Sequence, residues 1–276
     1  MEKLKLSTVV LTFLAAALIL MVCARFLPSN EPVSADEFMW YYLPHKADEP
    51  PNPMEKAGYI SDYDVLYLGD TKQRVIYLTF DDCPENGNIP AILDVLEEHE
   101  ATAAFFMTEL YIRKHPDIIK RIVADGFLVC NHTAHHIGMS RVSFDKFKEE
   151  LEGVEAAYRE VTGEELPKYF RPPQGLFSEK TLSFAEELGY TTVFWSFRYS
   201  DWDEYAQPTD NAAFDMILKE THPGEIALLH CQSSANVHIL DRVLTAWEDA
   251  GYAFGSLNDI PPVTRTHAED DEDTTQ

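Results

Sequence analysis

The chain has 276 residues, with 22 Lys and Arg against 47 Asp and Glu and a formal net charge of −25. That acidic balance argues against nucleic acid as a partner, since phosphates need a basic footprint. It is compatible with a neutral carbohydrate or with a cation held in an acidic cleft. Hydrophobic residues make up 45%, enough for one sizeable core, and the length suits one domain, two small ones or a single α/β barrel.

Residues 1–27 read as a signal peptide or signal anchor. Lys3 and Lys5 precede a nearly uninterrupted apolar stretch from Val9 to Ala24, somewhat short of the roughly 20 residues that span a bilayer. Leu27 and a snorkelling Arg25 extend it. Two readings stand: cleavage near Val33-Ser34-Ala35, or an uncleaved membrane anchor, which is preferred. A lipid anchor at Cys23 is disfavoured because Val22 is branched where a small residue is needed. Either way the body works outside the cytoplasm. The three cysteines beyond Cys23, namely Cys83, Cys130 and Cys231, are odd in number, so the chain is not a disulfide scaffold.

Residues 28–59, rich in Pro, Asp and Glu, read as an extracytoplasmic spacer whose aromatic run Trp40-Tyr41-Tyr42 docks on the domain. The tail 261–276, "PVTRTHAEDDEDTTQ" after Pro261, carries a like-charge block and reads as disordered. Between them, over 60–260, strand-like runs near 75–80, 102–107, 127–130, 168–170, 191–196, 225–230 and 252–256 alternate with helical patterns. "IPAILDVLEEHE" places Ile89, Ile92, Leu93 and Leu96 on one face. "SFDKFKEELEGVEAAYREVTG" starts at a serine and ends at Gly163. "SEKTLSFAEELGY" has Ser178 as N-cap and Gly189 for its C-terminus. Such alternation means parallel strands covered by helices. About seven units suggest a closed or nearly closed barrel, where chemistry collects at the strand ends.

Five clusters fall at or beyond strand C-termini: Asp81-Asp82, "NHTAHH" (Asn131 to His136), "RPPQG" (Arg171 to Gly175), Asp201-Trp202, and "LLHC" with His230. Each has a bland reading as a turn, a cap or surface decoration. Together on one rim they form a site. His132 and His136, four apart, share a face on a helical turn and with one carboxylate make a two-His, one-Asp metal set with open positions. Successive residues of an extended segment point opposite ways. One of Asp81 and Asp82 can therefore bind metal while its neighbour faces the substrate and pairs with Arg171, which relieves the like-charge conflict. Such a site suits hydrolysis of an acyl group, with a free carboxylate taking the water's proton, His230 protonating the leaving nitrogen and Asp201 orienting it.

These motifs resemble the NodB-type polysaccharide deacetylases, carbohydrate esterase family 4, over roughly residues 60–260, with all five family motifs in order. "YDVLYLGDTKQRVIYLTFDDCPENGN", "RPPQGLFSE", "YTTVFWSF" and "LLHCQSSAN" look most like the delta-lactam-biosynthetic de-N-acetylases, which act on N-acetylmuramic acid in peptidoglycan of spore-forming bacteria. The resemblance implies an α/β fold, a distorted (β/α)7 TIM-like barrel. It implies Asp81 as general base, Asp82, His132 and His136 as metal ligands, and Arg171 holding Asp81. It further implies the Gln174 backbone N–H at the oxyanion, Trp195 and Leu228 lining the acetyl pocket, and Asp201 tuning His230, the general acid. The implied cofactor is a divalent cation, Zn2+ first, with Co2+, Mn2+ or Ni2+ as alternatives. The implied partner is the glycan strand of a bacterial cell wall, reached by a membrane-anchored or secreted monomer.

Some residues depart from the family pattern. Cys83 stands where the family has glycine, and Asp82 where the muramic subgroup often has Asn. Arg198 stands where an acidic residue is common, and Gln174 where a bulkier Tyr or Arg is usual. His135 is expected as a solvent or supporting group, His115, His222 and His238 as surface residues, and Trp202 as packing. The cysteines read as small buried fillers, or else as a Cys83–Cys231 disulfide or an oxidation-sensitive set. Alternative functions are an N-acetylglucosamine or other glycan deacetylase, an O-acetyl esterase, or a non-catalytic wall-binding protein.

Overall fold

Runs of β-branched and aromatic residues form the strands the sequence predicts, because a sheet buried on both faces accepts such side chains at every position. The computed structural model describes residues 37–43, 46, 48–53, 58–82, 85–203 and 205–261. Its strands are β1 (Phe38–Met39), β2 (Val65–Leu66), β3 (Val75–Asp81), β4 (Ala103–Met107), β5 (Leu128–Asn131), β6 (Tyr169–Phe170), β7 (Leu176–Phe177), β8 (Thr191–Val193), β9 (Phe197–Arg198), β10 (Glu225–His230) and β11 (Ala253–Phe254). The helices are α1 (Asn88–Glu98), α2 (Glu109–Lys114), α3 (Pro116–Ala124), α4 (Phe144–Thr162), α5 (Glu179–Glu187), α6 (Asp210–Glu220) and α7 (Ser234–Asp249). The targeting segment with Cys23, the residue Cys83 and the acidic tail from 262 onward lie outside the described residues.

Among the described residues, nine strands make one sheet in the order β2-β8-β6-β5-β4-β3-β10-β9, with β11 also paired to β3. All these pairings are parallel. The two ends of this order meet. β8 belongs to one end and β9 to the other, yet only residues 194–196 separate them. Across that short crossing the Phe194 N–H donates to the Leu66 carbonyl at 2.7 Å and the Ser196 N–H to the Ile226 carbonyl at 3.0 Å. Leu68 also bridges Glu225. The expected barrel is therefore a curled, nearly closed sheet with a seam at Phe194–Ser196.

Helices pack outside by the stripes the sequence shows. Ile89, Ile92, Leu93 and Leu96 of α1 are buried together against β3, β4 and β10 side chains in one apolar cluster. Ser178 caps α5 through a reciprocal pair of bonds with Thr181, and Ser143 caps α4, which ends at Gly163 with φ 79°. A positive φ there costs glycine little, and any side chain would be strained.

The aromatic run docks, as expected, but the reading of 28–59 as a spacer does not hold for its described part. β1 pairs antiparallel with β7. Trp40 is fully buried and stacks on Phe194 at 4.4 Å and 9°. Its indole N–H donates to the Trp195 carbonyl at 2.8 Å, and its backbone N–H to the Gly175 carbonyl at 2.8 Å. This segment therefore buttresses the seam. Trp40→Ala removes a buried indole and should destabilise the fold by about 3–5 kcal/mol in a urea titration; a loss under about 1 kcal/mol would show that the segment is only loosely attached.

Candidate active site

The parallel sheet ends on one side in a cavity of ≈ 950 Å³. Asp81, Asp82, His132, His136, Gln174, Trp195, Leu228 and His230 all line it. Arg171 and Asp201 are fully buried behind the wall. Strand alternation explains how the adjacent carboxylates part company. Asp81 is the last residue of β3 and turns inward, whereas Asp82 leaves the strand beside β4.

Asp81 Oδ1 accepts from Arg171 Nη1 at 2.7 Å, and its Oδ2 lies 3.7 Å from His132 Nε2. Burial alone would raise the Asp81 carboxyl, but the Arg171 guanidinium, helped by His132 and His230, holds it below the usual carboxylate range. Arg171 also donates to Thr79 Oγ1 at 2.9 Å and to the Val193 and Phe194 carbonyls at 3.1 and 3.2 Å. One guanidinium thus grips Asp81 and the seam together.

Among the described residues, no Arg or Lys pairs with Asp82. Its Oδ2 accepts from the Thr108 N–H at 2.9 Å and the Thr108 hydroxyl at 2.6 Å. Burial outweighs these bonds and pushes its carboxyl up to about 6. Thr108 is also the N-cap of α2, so the helix start and the carboxylate share one hydroxyl.

His132 Nδ1 lies 2.8 Å from the Arg171 carbonyl. A carbonyl only accepts, so Nδ1 carries the proton and Nε2 offers a lone pair. Burial lowers the His132 imidazole to about 4 and also lowers His136, so both are neutral near pH 7. Their rings lie 4.9 Å apart. The pairing does not come from a helical turn, as the spacing suggested. Thr133 and His136 have φ of 68° and 53°, and the bend is held by Asn131 Oδ1 accepting from the Thr133 N–H at 3.0 Å and Thr133 Oγ1 accepting from the His136 N–H at 2.9 Å. Left-handed non-glycine residues are strained, and such strain gathers at functional sites.

The donor set fits a divalent cation by its chemistry: two neutral imidazoles, one with its lone pair set by a carbonyl, and a half-buried carboxylate that no Arg or Lys pairs among the described residues. Among the described residues, no three His, Cys, Asp or Glu side chains close on one point as a metal cage. Across the cavity, Asp201 accepts from His230 Nδ1 at 2.7 Å, from the His230 N–H at 2.8 Å and from Asn236 Nδ2 at 2.7 Å. Burial would lower the His230 imidazole, but the Asp201 carboxylate outweighs it and the net shift is upward. Nε2 is left for the cavity.

A profile described as "Polysaccharide deacetylase" matches residues 68–193. The peptidoglycan-N-acetylmuramic acid deacetylase PdaA of Bacillus subtilis (strain 168) is 38% identical over 84% of this chain and 86% of its own. The chain belongs to the polysaccharide deacetylases of carbohydrate esterase family 4. The structure of Bacillus subtilis PdaA, titled a family 4 carbohydrate esterase, matches with a TM-score of 0.78 at 36% identity, over 85% of this chain and 98% of that one. A family 4 carbohydrate esterase from Bacillus anthracis matches with a TM-score of 0.66 at 36% identity, over 80% and 98%. A peptidoglycan-N-acetylglucosamine deacetylase of Bacillus cereus is 29% identical over 75% of this chain and 95% of its own.

Several residues of this deacetylase site escape sequence reasoning. Thr108 and Asn236 sit in helix caps and first turns, where polar residues are ordinary. Thr79 was visible only as one hydroxyl inside an apolar run; its Oγ1 donates to the Ala227 carbonyl at 2.7 Å while receiving Arg171. Other expectations are corrected. Trp202 is 46% exposed and lines the cavity, as does His115. His222 is buried, within 2.9 Å of Ser196 Oγ. His135, as expected, turns away and meets Glu150 at 2.9 Å. Cys130 and Cys231 are buried, and burial raises the Cys130 thiol, which argues against ready oxidation there.

The Asp201–His230 couple gives a direct check. Asp201→Asn removes the carboxylate that raises His230, so the imidazole should lose its proton at lower pH. An NMR titration of the His230 ring should show the midpoint falling in this variant, and an unmoved midpoint would assign the shift elsewhere.

Proposed function

We propose that the protein is a metal-dependent peptidoglycan deacetylase that hydrolyses the acetamide of N-acetylmuramic acid. The observation that carries this reading is the division of labour between neighbours: Asp81 is held ionised by Arg171, while Asp82, which no Arg or Lys pairs among the described residues, lines the same cavity as two neutral imidazoles. The similarity to PdaA, named for N-acetylmuramic acid, supports the substrate.

Asp82, His132 and His136 would hold the cation, Zn2+ in preference to Co2+, Mn2+ or Ni2+ on the strength of the imidazole and carboxylate donors. Such an ion polarises the acetyl carbonyl and lowers the pKa of water towards about 7. Asp81, ionised at neutral pH, takes the proton of the attacking water. The Gln174 N–H donates to the negative charge developing on the carbonyl oxygen. Trp195 and Leu228 form an apolar wall for the methyl group. His230, whose hold on its proton Asp201 strengthens, hands that proton to the leaving nitrogen. The product amine lies beside the lactyl group, the arrangement from which a muramic delta-lactam of spore cortex is closed. A wall substrate puts the working body outside the cytoplasm, with the apolar N-terminal segment as anchor or signal.

The test incubates the full-length protein with glycan strands of peptidoglycan and locates the lost acetyl by mass spectrometry. Loss from muramic residues is expected. Loss confined to glucosamine residues would favour the N-acetylglucosamine alternative. Chelator treatment and Asp82→Ala should each lower kcat by about 100-fold or more, and activity indifferent to both would sink the metal mechanism.

A further inference from the structure

One cation on the cavity wall has no part in that chemistry. Arg198 closes β9 and stands beside Leu228 in the parallel register with β10. Leu228 and His230 are two apart on β10, so they leave the strand on the same face, and all three residues line the cavity. Arg74, Arg113, Arg121, Arg141, Arg159 and Arg171 each pair with a carboxylate. Arg198 is half-buried, and among the described residues no ion pair engages it. Its guanidinium lies 5.3 Å over the Trp202 ring, which in turn meets the His230 ring at 6.4 Å. The backbone beneath is pinned from the N-terminal segment: the Arg198 N–H donates to Tyr42 Oη at 3.2 Å, and the Arg198 carbonyl accepts from that hydroxyl at 3.3 Å.

A half-desolvated guanidinium without a counter-ion, in a chain of net charge −25, is a place where a bound anion gains what the protein has not supplied. Lys114 also lines the cavity, but it is exposed at the rim, where solvent and salt screen it. Stacking on Trp202 holds the Arg198 plane and leaves its N–H edge available for a two-point contact with a carboxylate. The muramic sugar carries one such anion. Its lactyl ether sits on the ring carbon next to the one that bears the acetamide, and glucosamine has no equivalent. With the acetamide against Leu228 and His230, the lactyl group falls beside the next strand.

Resting on the muramic reading above, we propose that Arg198 is a specificity-determining residue that binds the lactyl carboxylate of N-acetylmuramic acid. Its neutral forms, such as the lactyl carboxamide, lose that contact. The test uses the full-length protein and two soluble glucosaminyl-muramic oligomers that differ only in lactyl acid against lactyl carboxamide. The wild type should prefer the acid by about tenfold or more in kcat/KM, the worth of one charge-assisted contact. Arg198→Ala should bring the ratio near one, Arg198→Lys should keep part of it, and Arg198→Glu should reverse it. Each ratio is taken on a single preparation, so partial misfolding of a variant does not move it. An acid preference that survives in Arg198→Ala overturns the proposal. A wild type that deacetylates both muramic forms equally also overturns it while leaving the muramic reading intact. A wild type active on glucosamine oligomers alone overturns both.

Discussion

A single buried guanidinium organises the molecule. Arg171 is fully buried between β6 and the seam, lies 4.1 Å over the Phe106 ring, and directs its donors to Asp81, Thr79, Val193 and Phe194. Taking that charge out of water costs several kcal/mol unless every donor is satisfied. Here four oxygens around the fork take four of its five N–H groups. A lysine could balance the charge of Asp81 but could not reach the other acceptors in a plane. The same residue's carbonyl sets the tautomer of His132. The charge of one carboxylate, the lone pair of one imidazole and the closure of the sheet therefore hang on one side chain and its own backbone.

From this constraint follows the separation of two neighbours that would otherwise repel. Asp81 is buried and Asp82 half-buried, yet one is held low by a cation and the other is left high by desolvation with only a hydroxyl and an amide to offset it. Acid–base and ligand roles divide wherever environments push like groups apart. On the far wall the order inverts. Asp201 sits deep and His230 faces the cavity, so a buried carboxylate there raises the proton affinity of a cavity-facing imidazole.

Much of this was legible in the sequence because strand ends concentrate it. The seven longer apolar runs, the capping serines Ser143 and Ser178, and the five polar clusters follow from period, composition and turn chemistry. The two-residue strands β1, β2, β7 and β9 were not, since a period of two cannot be read from two residues, whereas the equally short β6 and β11 lie inside longer apolar runs. The bend at His132–His136 was misread as helical because a four-residue spacing does not distinguish a helical turn from two left-handed residues held by Asn131 and Thr133. Asn236, Thr108 and Thr79 act through contacts distant in sequence, and Trp202 and His222 exchange their expected surroundings because burial depends on which element covers them.

Trp40 adds a mechanical aspect. It lies upstream of the region that matches the family profile, yet it joins Gly175 to the Trp195 carbonyl at the rim of the cavity. Two residues further on, Tyr42 holds the backbone of Arg198. Tension arriving along the chain from the N-terminal side reaches these contacts before it reaches any strand of the main sheet. The first described part of the fold to feel a pull is thus the wall of the cavity.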